Sequence, residues 1–446
     1  MSHFLIAVAA TAVVLGIMIL VHEFGHYAMA KWFGVRVEVF SIGFGTRLAG
    51  FRKGETDYRI SAIPLGGYVR MSGENPMEPR TGDPGEFMSH PRWQRFLIAV
   101  AGPAMNIILA VVLLTVVFAT HYQRPMYLDK PAVIGWVLED SPAAKAGIQT
   151  GDRIVRLDEL QNPTWEQVIP KMALSPNQPV RVEIQRGGQV FTRTITPEAA
   201  GPQQVGNPGW LPDQPNTVTT LEPGMPADRA GMQIGDDIVA VNGQPMRSIP
   251  GLIRYLQDNG GKSVEFTIVR QGQEKKLTMT PEMAEIQGTG EKRWRVGIGS
   301  DPSEVTKLPL GAAFTKSLQE NKRNSFLIVE LVQKMVRRKI SIRQIEGPIG
   351  IGRASGEAAR EGLAPLMQLA AMISLNLGVF NLFPIPILDG GVILMIFIEG
   401  LLRRDISLRV KERVYQVAFL FLVLFAVVVI YNDLVKTLPG LAQRLP

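Results

Sequence analysis

Apolar residues fall in four blocks along the chain, and between the second and third lies a long stretch with the mixed pattern of water-soluble protein. Phe4 to Met29, Phe96 to Phe118, Leu363 to Phe383 and Val414 to Ile430 each approach or exceed the roughly 20 residues that carry a helix across the hydrocarbon core of a bilayer. After an interruption, the third block is followed by a further apolar stretch from Val392 to Leu402. From about residue 121 to 345 the chain is punctuated regularly by Gly and Pro. The pattern predicts a polytopic α-helical membrane protein with four transmembrane helices around a soluble insert.

The first block lacks a basic leader and is too long for the core of a cleaved signal peptide, so it reads as a retained span. Lys and Arg crowd the loops from Lys31 to Arg95 and from Arg403 to Arg413. By the positive-inside rule both loops are cytoplasmic, which places both termini and the insert outside. For a bacterial-looking chain outside means the periplasm or the cell exterior, and the expected placement is a multi-pass inner-membrane protein with a periplasmic insert.

The insert contains a repeat. "SPAAKAGIQTGDRIVRLD" from Ser141 and "MPADRAGMQIGDDIVAVN" from Met225 align without gaps, with nine of eighteen positions identical. A period of this length implies a duplicated domain. The phrase "AG-x-x-x-GD-x-I" followed by an apolar strand resembles PDZ domains, α/β modules that bind extended peptides or chain termini by adding a strand to a sheet edge. Such modules can also act by bulk alone. "AGPQQVGNPGWLPDQPN", Ala200 to Asn216, reads as the linker between the copies. The expected division is 1–120 for the first two spans with their cytoplasmic loop, and 121–202 and 203–300 for the two PDZ-like modules. An amphipathic connecting region, 301–362, and the last two spans, 363–446, complete it. Within the connector, Ala312 to Ile345 has helical apolar spacing and many basic residues, fitting either an interfacial or a docking helix.

Composition narrows the chemistry. The net charge of +7 is spread without a basic run threaded by aromatics, so nucleic acid is not an expected partner. With no cysteine, a disulfide framework, a thiolate metal site and a Cys nucleophile are excluded.

The candidate chemistry begins with "HEFGH" at His22 to His26. Four residues apart on a helix, the two imidazoles leave one face a turn apart, a spacing that suits two ligands of Zn²⁺. Glu23 between them can serve as the general base without ligating the metal. Ionisable groups in an apolar segment are costly, which argues for a task. For a third ligand, His3, His90 and His121 are badly placed, whereas "NLFPIPILDGG", Asn381 to Gly391, breaks the third span with two prolines and presents Asp389. His22 lies about 18 residues into its span, roughly 27 Å along the helix. Asp389 lies about 26 residues into the third, so both arrive near the cytoplasmic side.

A substrate helix must unwind to expose its peptide bonds. "SIGFGTRL", with Gly43 and Gly45, and "YRISAIPLGGYVRM" alternate in strand fashion, with Gly66-Gly67 read as the turn. An exposed edge there could pair with unwound substrate.

Together these stretches resemble the site-2 protease family, in particular its bacterial regulator-of-sigma-E type, with "GPIGIG" at Gly347 to Gly352 as a further family-like stretch. The resemblance implies a zinc intramembrane endopeptidase that cuts single-span membrane proteins after another protease has removed their outer domain. Anti-sigma factors of envelope-stress signalling and remnant signal peptides are the implied substrates. It also implies that Asn381 helps hold substrate backbone and that the strand pair is a small membrane-associated β element near the active site. The alternative is a non-catalytic membrane PDZ scaffold, against which Glu23 argues, since a structural zinc site has no use for a non-ligating carboxylate. A metal transporter would need ionisable residues along a whole pathway; here they cluster.

Overall fold

The computed structural model describes residues 3–74, 81–125, 127–201, 203–285, 292–300, 303–341 and 345–437. The chain forms two compact units, one of residues 1–122, 306–333 and 345–446, the other of residues 123–305 and 334–344.

Among the described residues of the first unit, four helices are long and apolar enough to cross a membrane: Leu5–Phe33, Arg92–Thr120, Leu363–Asn381 and Leu408–Lys436. They fall on the four apolar blocks. The first three pack at backbone distance because glycines meet at their crossings. A side chain at Gly25 would run into the Ala101 carbonyl carbon at 2.7 Å, and one at Gly378 into the Pro103 carbonyl oxygen at 2.9 Å. Such small-residue contacts let helices associate where lipid removes the hydrophobic drive. Ala110, Leu114, Ala371 and Leu375 fill the space between the second and third helices.

The predicted amphipathic segment forms helix Leu310–Val336. It docks by its N-terminal half: Ala313 joins the same apolar cluster, and the Ser317 and Thr115 hydroxyls lie 2.9 Å apart. "GPIGIG" opens helix Pro348–Glu361, whose first amides at Ile349 and Gly350 donate to the Asp433 carboxylate of the fourth span.

The third span ends at Asn381, as the prolines require, and the chain restarts as helix Asp389–Leu402. Gly390 and Gly391 allow this helix to pack directly on the Leu382 to Pro386 backbone.

Between the first two spans, Val37–Lys53 and Thr56–Met71 form an irregular antiparallel hairpin. The turn expected at Gly66-Gly67 does not form there. Lys53 pairs with Thr56, so the chain reverses at Gly54-Glu55, while Gly66-Gly67 lies inside the second strand. These glycines serve close approach: Gly66, at φ 130°, faces the Phe44 ring. Residues Val39 to Ile42 find partners at both ends of the second strand, so the hairpin curls on itself.

The second unit holds two copies of one α/β module. Strands Leu160–Gln161, Arg153–Leu157, Val180–Arg186 and Gln189–Ile195 lie in that order in one sheet. Gln244–Pro245, Asp237–Val241, Val264–Arg270 and Gln273–Met279 repeat the order in another. The "GD" of each motif has a shared structural reason. Asp152 and Asp236 are buried, each takes a bidentate ion pair from the end of the third strand (Arg186 or Arg270, 2.6 to 2.7 Å), and each accepts the Gln149 or Gln233 amide at 2.8 Å.

The segment read as a linker is more than that. Trp210–Pro212 pairs with Ile134–Val137, and Trp210 is buried in the first module's core with Trp165, Ile154 and Ile184. Strands Tyr122–Pro125 and Ser303–Thr306 also pair with each other.

Candidate metal centre

His22 and His26 sit one turn apart on the first helix, nearly buried, and Asp389 enters from the first turn of helix Asp389–Leu402. The His22 Nε2 to Asp389 Oδ2 distance is 3.1 Å, His26 Nε2 to Asp389 Oδ1 is 3.4 Å, and the two Nε2 atoms are 3.2 Å apart. Four bonds of 2.0 to 2.1 Å in a tetrahedron put neighbouring donors about 3.3 Å apart, so the spacing is that of three corners around one small cation.

The tautomer agrees for one ring. His26 Nδ1 lies 2.8 Å from the Ile98 carbonyl, which can only accept, so Nδ1 carries the hydrogen and Nε2 of the neutral ring turns a lone pair towards the other two donors. Gly102 makes room for this, since a Cβ there would run into the His26 ring. These residues fit a zinc ion.

Glu23 lines the same cavity as the three donors, and its Oε2 accepts the Val69 amide of the hairpin at 2.9 Å. A Cβ on Gly67 would lie 3.7 Å from Glu23 Cγ, so this glycine lets the strand approach the carboxylate. Asn381 Nδ2 lies 3.5 Å from His22 Nε2. The structure thus brings His22, Glu23, His26, Asp389, Asn381 and Gly67 together. Gly43, Gly45 and Gly66 lie on the same hairpin, and neither they nor Gly67 and Asn381 are among the residues lining the adjoining cavity. Of the other histidines, His90 bonds Gln94 and His121 is exposed at the end of the second span.

The cavity has a volume of about 330 Å³ and runs from the histidines and Glu23 past Val69, Met71 and Ile396. Its lining also holds Glu399, buried and paired with Lys411 at 2.7 Å, with Arg95 at 3.9 Å. Sequence reasoning missed this group, the Val69 amide and Asn106. Asn106 is fully buried, and its amide lies 3.2 Å from His22 Nδ1. An amide alone in the apolar run "AGPAMNIILAVVLL" was the available signal for it.

Residues 10–425 match the profile of Peptidase family M50. The chain is 33% identical over 463 residues to the Regulator of sigma-E protease RseP of Escherichia coli (strain K12), covering 97% of this chain and 99% of that protein. It is 32% identical over 460 residues to Protease RseP of Yersinia pestis, covering 97% and 99%. A Vibrio cholerae protein whose name calls it a zinc metalloprotease is 30% identical over 453 residues, covering 96% and 98%. The class is therefore a metalloprotease carried on a multi-pass membrane chain. Within it, the chain belongs to Peptidase family M50, the site-2 proteases, whose metal is zinc.

Proposed function

We propose that the protein is an endopeptidase that hydrolyses single-span membrane proteins within the bilayer, with zinc held by His22, His26 and Asp389 and with Glu23 as general base. The observation that carries this reading is the placement of Glu23. It stands beside three mutually facing donors, with one carboxylate oxygen anchored on the Val69 amide. An anchored base with one oxygen in hand can take a proton from the attacking water and deliver it to the leaving nitrogen. Bound zinc supplies Lewis-acid polarisation of the scissile carbonyl and lowers the pKa of water.

The hairpin that anchors Glu23 and carries Gly43, Gly45, Gly66 and Gly67 offers the edge on which unwound substrate lies, with the Asn381 amide donating to a substrate carbonyl. Both loops rich in Lys and Arg face the cytoplasm, and both termini and the two modules face the periplasm of the inner membrane. The repeated strand order and the AG-x-x-x-GD motif support a PDZ identity for the modules, which recognise a new chain terminus or turn away substrates that still carry an outer domain. Substrates of the anti-sigma-factor type, trimmed once outside, and remnant signal peptides suit this layout, in envelope-stress signalling.

The test compares cleavage of a pre-trimmed single-span substrate by the wild type and by Glu23→Gln at matched zinc content. The expected loss is roughly 10²- to 10⁴-fold, the usual contribution of a general acid–base group. Equal rates would remove Glu23 from the mechanism. Failure of the zinc-loaded wild type to cut several such substrates would favour a non-catalytic membrane scaffold.

A further inference from the structure

Asn106 touches the candidate centre, yet has no part in the chemistry proposed for it. It lies in the second span, fully buried, and its main-chain carbonyl accepts the Ser374 hydroxyl at 2.8 Å. Its side-chain Nδ2 is 3.2 Å from His22 Nδ1, and its Oδ1 is buried without a hydrogen-bond partner among the described residues. With Nδ2 donating, the neutral His22 ring must carry its own hydrogen on Nε2. That is the nitrogen facing His26 Nε2 and Asp389. A protonated nitrogen cannot be a metal ligand.

A half-turn of the amide about its last bond exchanges its two ends. Oδ1 then accepts a hydrogen from His22 Nδ1, and the orphaned acceptor gains a partner. His22 then turns a lone pair from Nε2 towards His26 and Asp389. Both histidines share one tautomer in this arrangement, His26 set by the Ile98 carbonyl and His22 by an amide carbonyl from the next turns of the same helix. The separation of four residues between Gly102, under the His26 ring, and Asn106, beside His22, matches that between the two histidines.

We propose that Asn106 is a positioning residue for the metal centre, acting as an acceptor that fixes the tautomer and ring orientation of His22. This rests on the assignment of His22, His26 and Asp389 as ligands. The competing role is purely structural, an amide that helps two helices associate.

The experiment measures zinc stoichiometry and affinity of the purified full-length protein by chelator competition, for the wild type, Asn106→Leu and Asn106→Asp. Asn106→Leu should weaken zinc roughly 10- to 100-fold, the usual effect of losing an outer partner of a ligand. Asn106→Asp should hold zinc at least as well as the wild type, because it can accept from Nδ1 but, when ionised, cannot donate. Tenfold or greater weakening in Asn106→Asp would overturn the proposal, even if Asn106→Leu failed to fold. Wild-type affinity in a folded Asn106→Leu would overturn it too. If the folded wild type takes up no zinc, the ligand assignment itself falls and takes this inference with it.

Discussion

Gly102 is conspicuous for what it lacks: the place of a side chain is taken by the His26 ring, which is fixed from its other edge by the Ile98 carbonyl. Gly102→Ala should therefore tilt the ring off its carbonyl and weaken zinc binding by about tenfold or more, with helix content unchanged, as read by chelator competition and circular dichroism. Retained affinity would mean the ring has room that the geometry denies it. At this scale the sequence was most informative about groups that are expensive where they stand. His22, Glu23, His26 and Asp389 are ionisable residues in or beside apolar runs, and that cost made them visible. The Val69 contact was invisible because it uses the main-chain amide, which every residue but proline has.

At the scale of elements, periodicity and repeats did well and glycine pairs did badly. The four spans and the helix break before Asp389 followed from apolar length and proline chemistry. Gly66-Gly67 carries the usual signature of a chain reversal, yet serves close packing, and only the fold shows which neighbour requires it. Pro/Gly content likewise suggested a plain linker where a short strand places Trp210 in a core. The repeated Asp–Arg pair in the modules makes a stability prediction. The Arg270 guanidinium holds the Asp236 carboxyl below its usual range, which is near 3.9 in an unfolded chain. A carboxyl depressed in the folded state contributes stability that is complete above the unfolded value and is lost as pH falls through the folded one. The protection of strand Asp237–Val241 against hydrogen exchange, relative to the intrinsic rate at each pH, should thus stay high near neutral pH and fall as acid below about pH 4 protonates Asp236. Asp236→Asn should lower the stability of this module by about 2 kcal/mol at neutral pH and flatten that acid dependence. An unchanged acid profile in the variant would assign the effect to other groups.

For the whole molecule, the division into two units separates the candidate chemistry from the candidate recognition. Every residue of the metal centre and its cavity lies in the first unit. Replacing residues 123–305 by a short turn should leave zinc binding within a few-fold of the wild type. Cleavage of pre-trimmed substrate should persist, and substrates still bearing an outer domain should now be cut, as seen by the size of the released fragment. Continued rejection of untrimmed substrates would locate the discrimination in the membrane unit instead. The strands Tyr122–Pro125 and Ser303–Thr306, paired side by side, have a consequence for the lineage as well as for the molecule. A cargo whose two ends are zipped together needs only adjacent attachment points in its host, and closing so short a gap takes little chain entropy. The membrane half is in this sense a socket, and a different domain grafted onto the same two strands should leave the metal centre as it is.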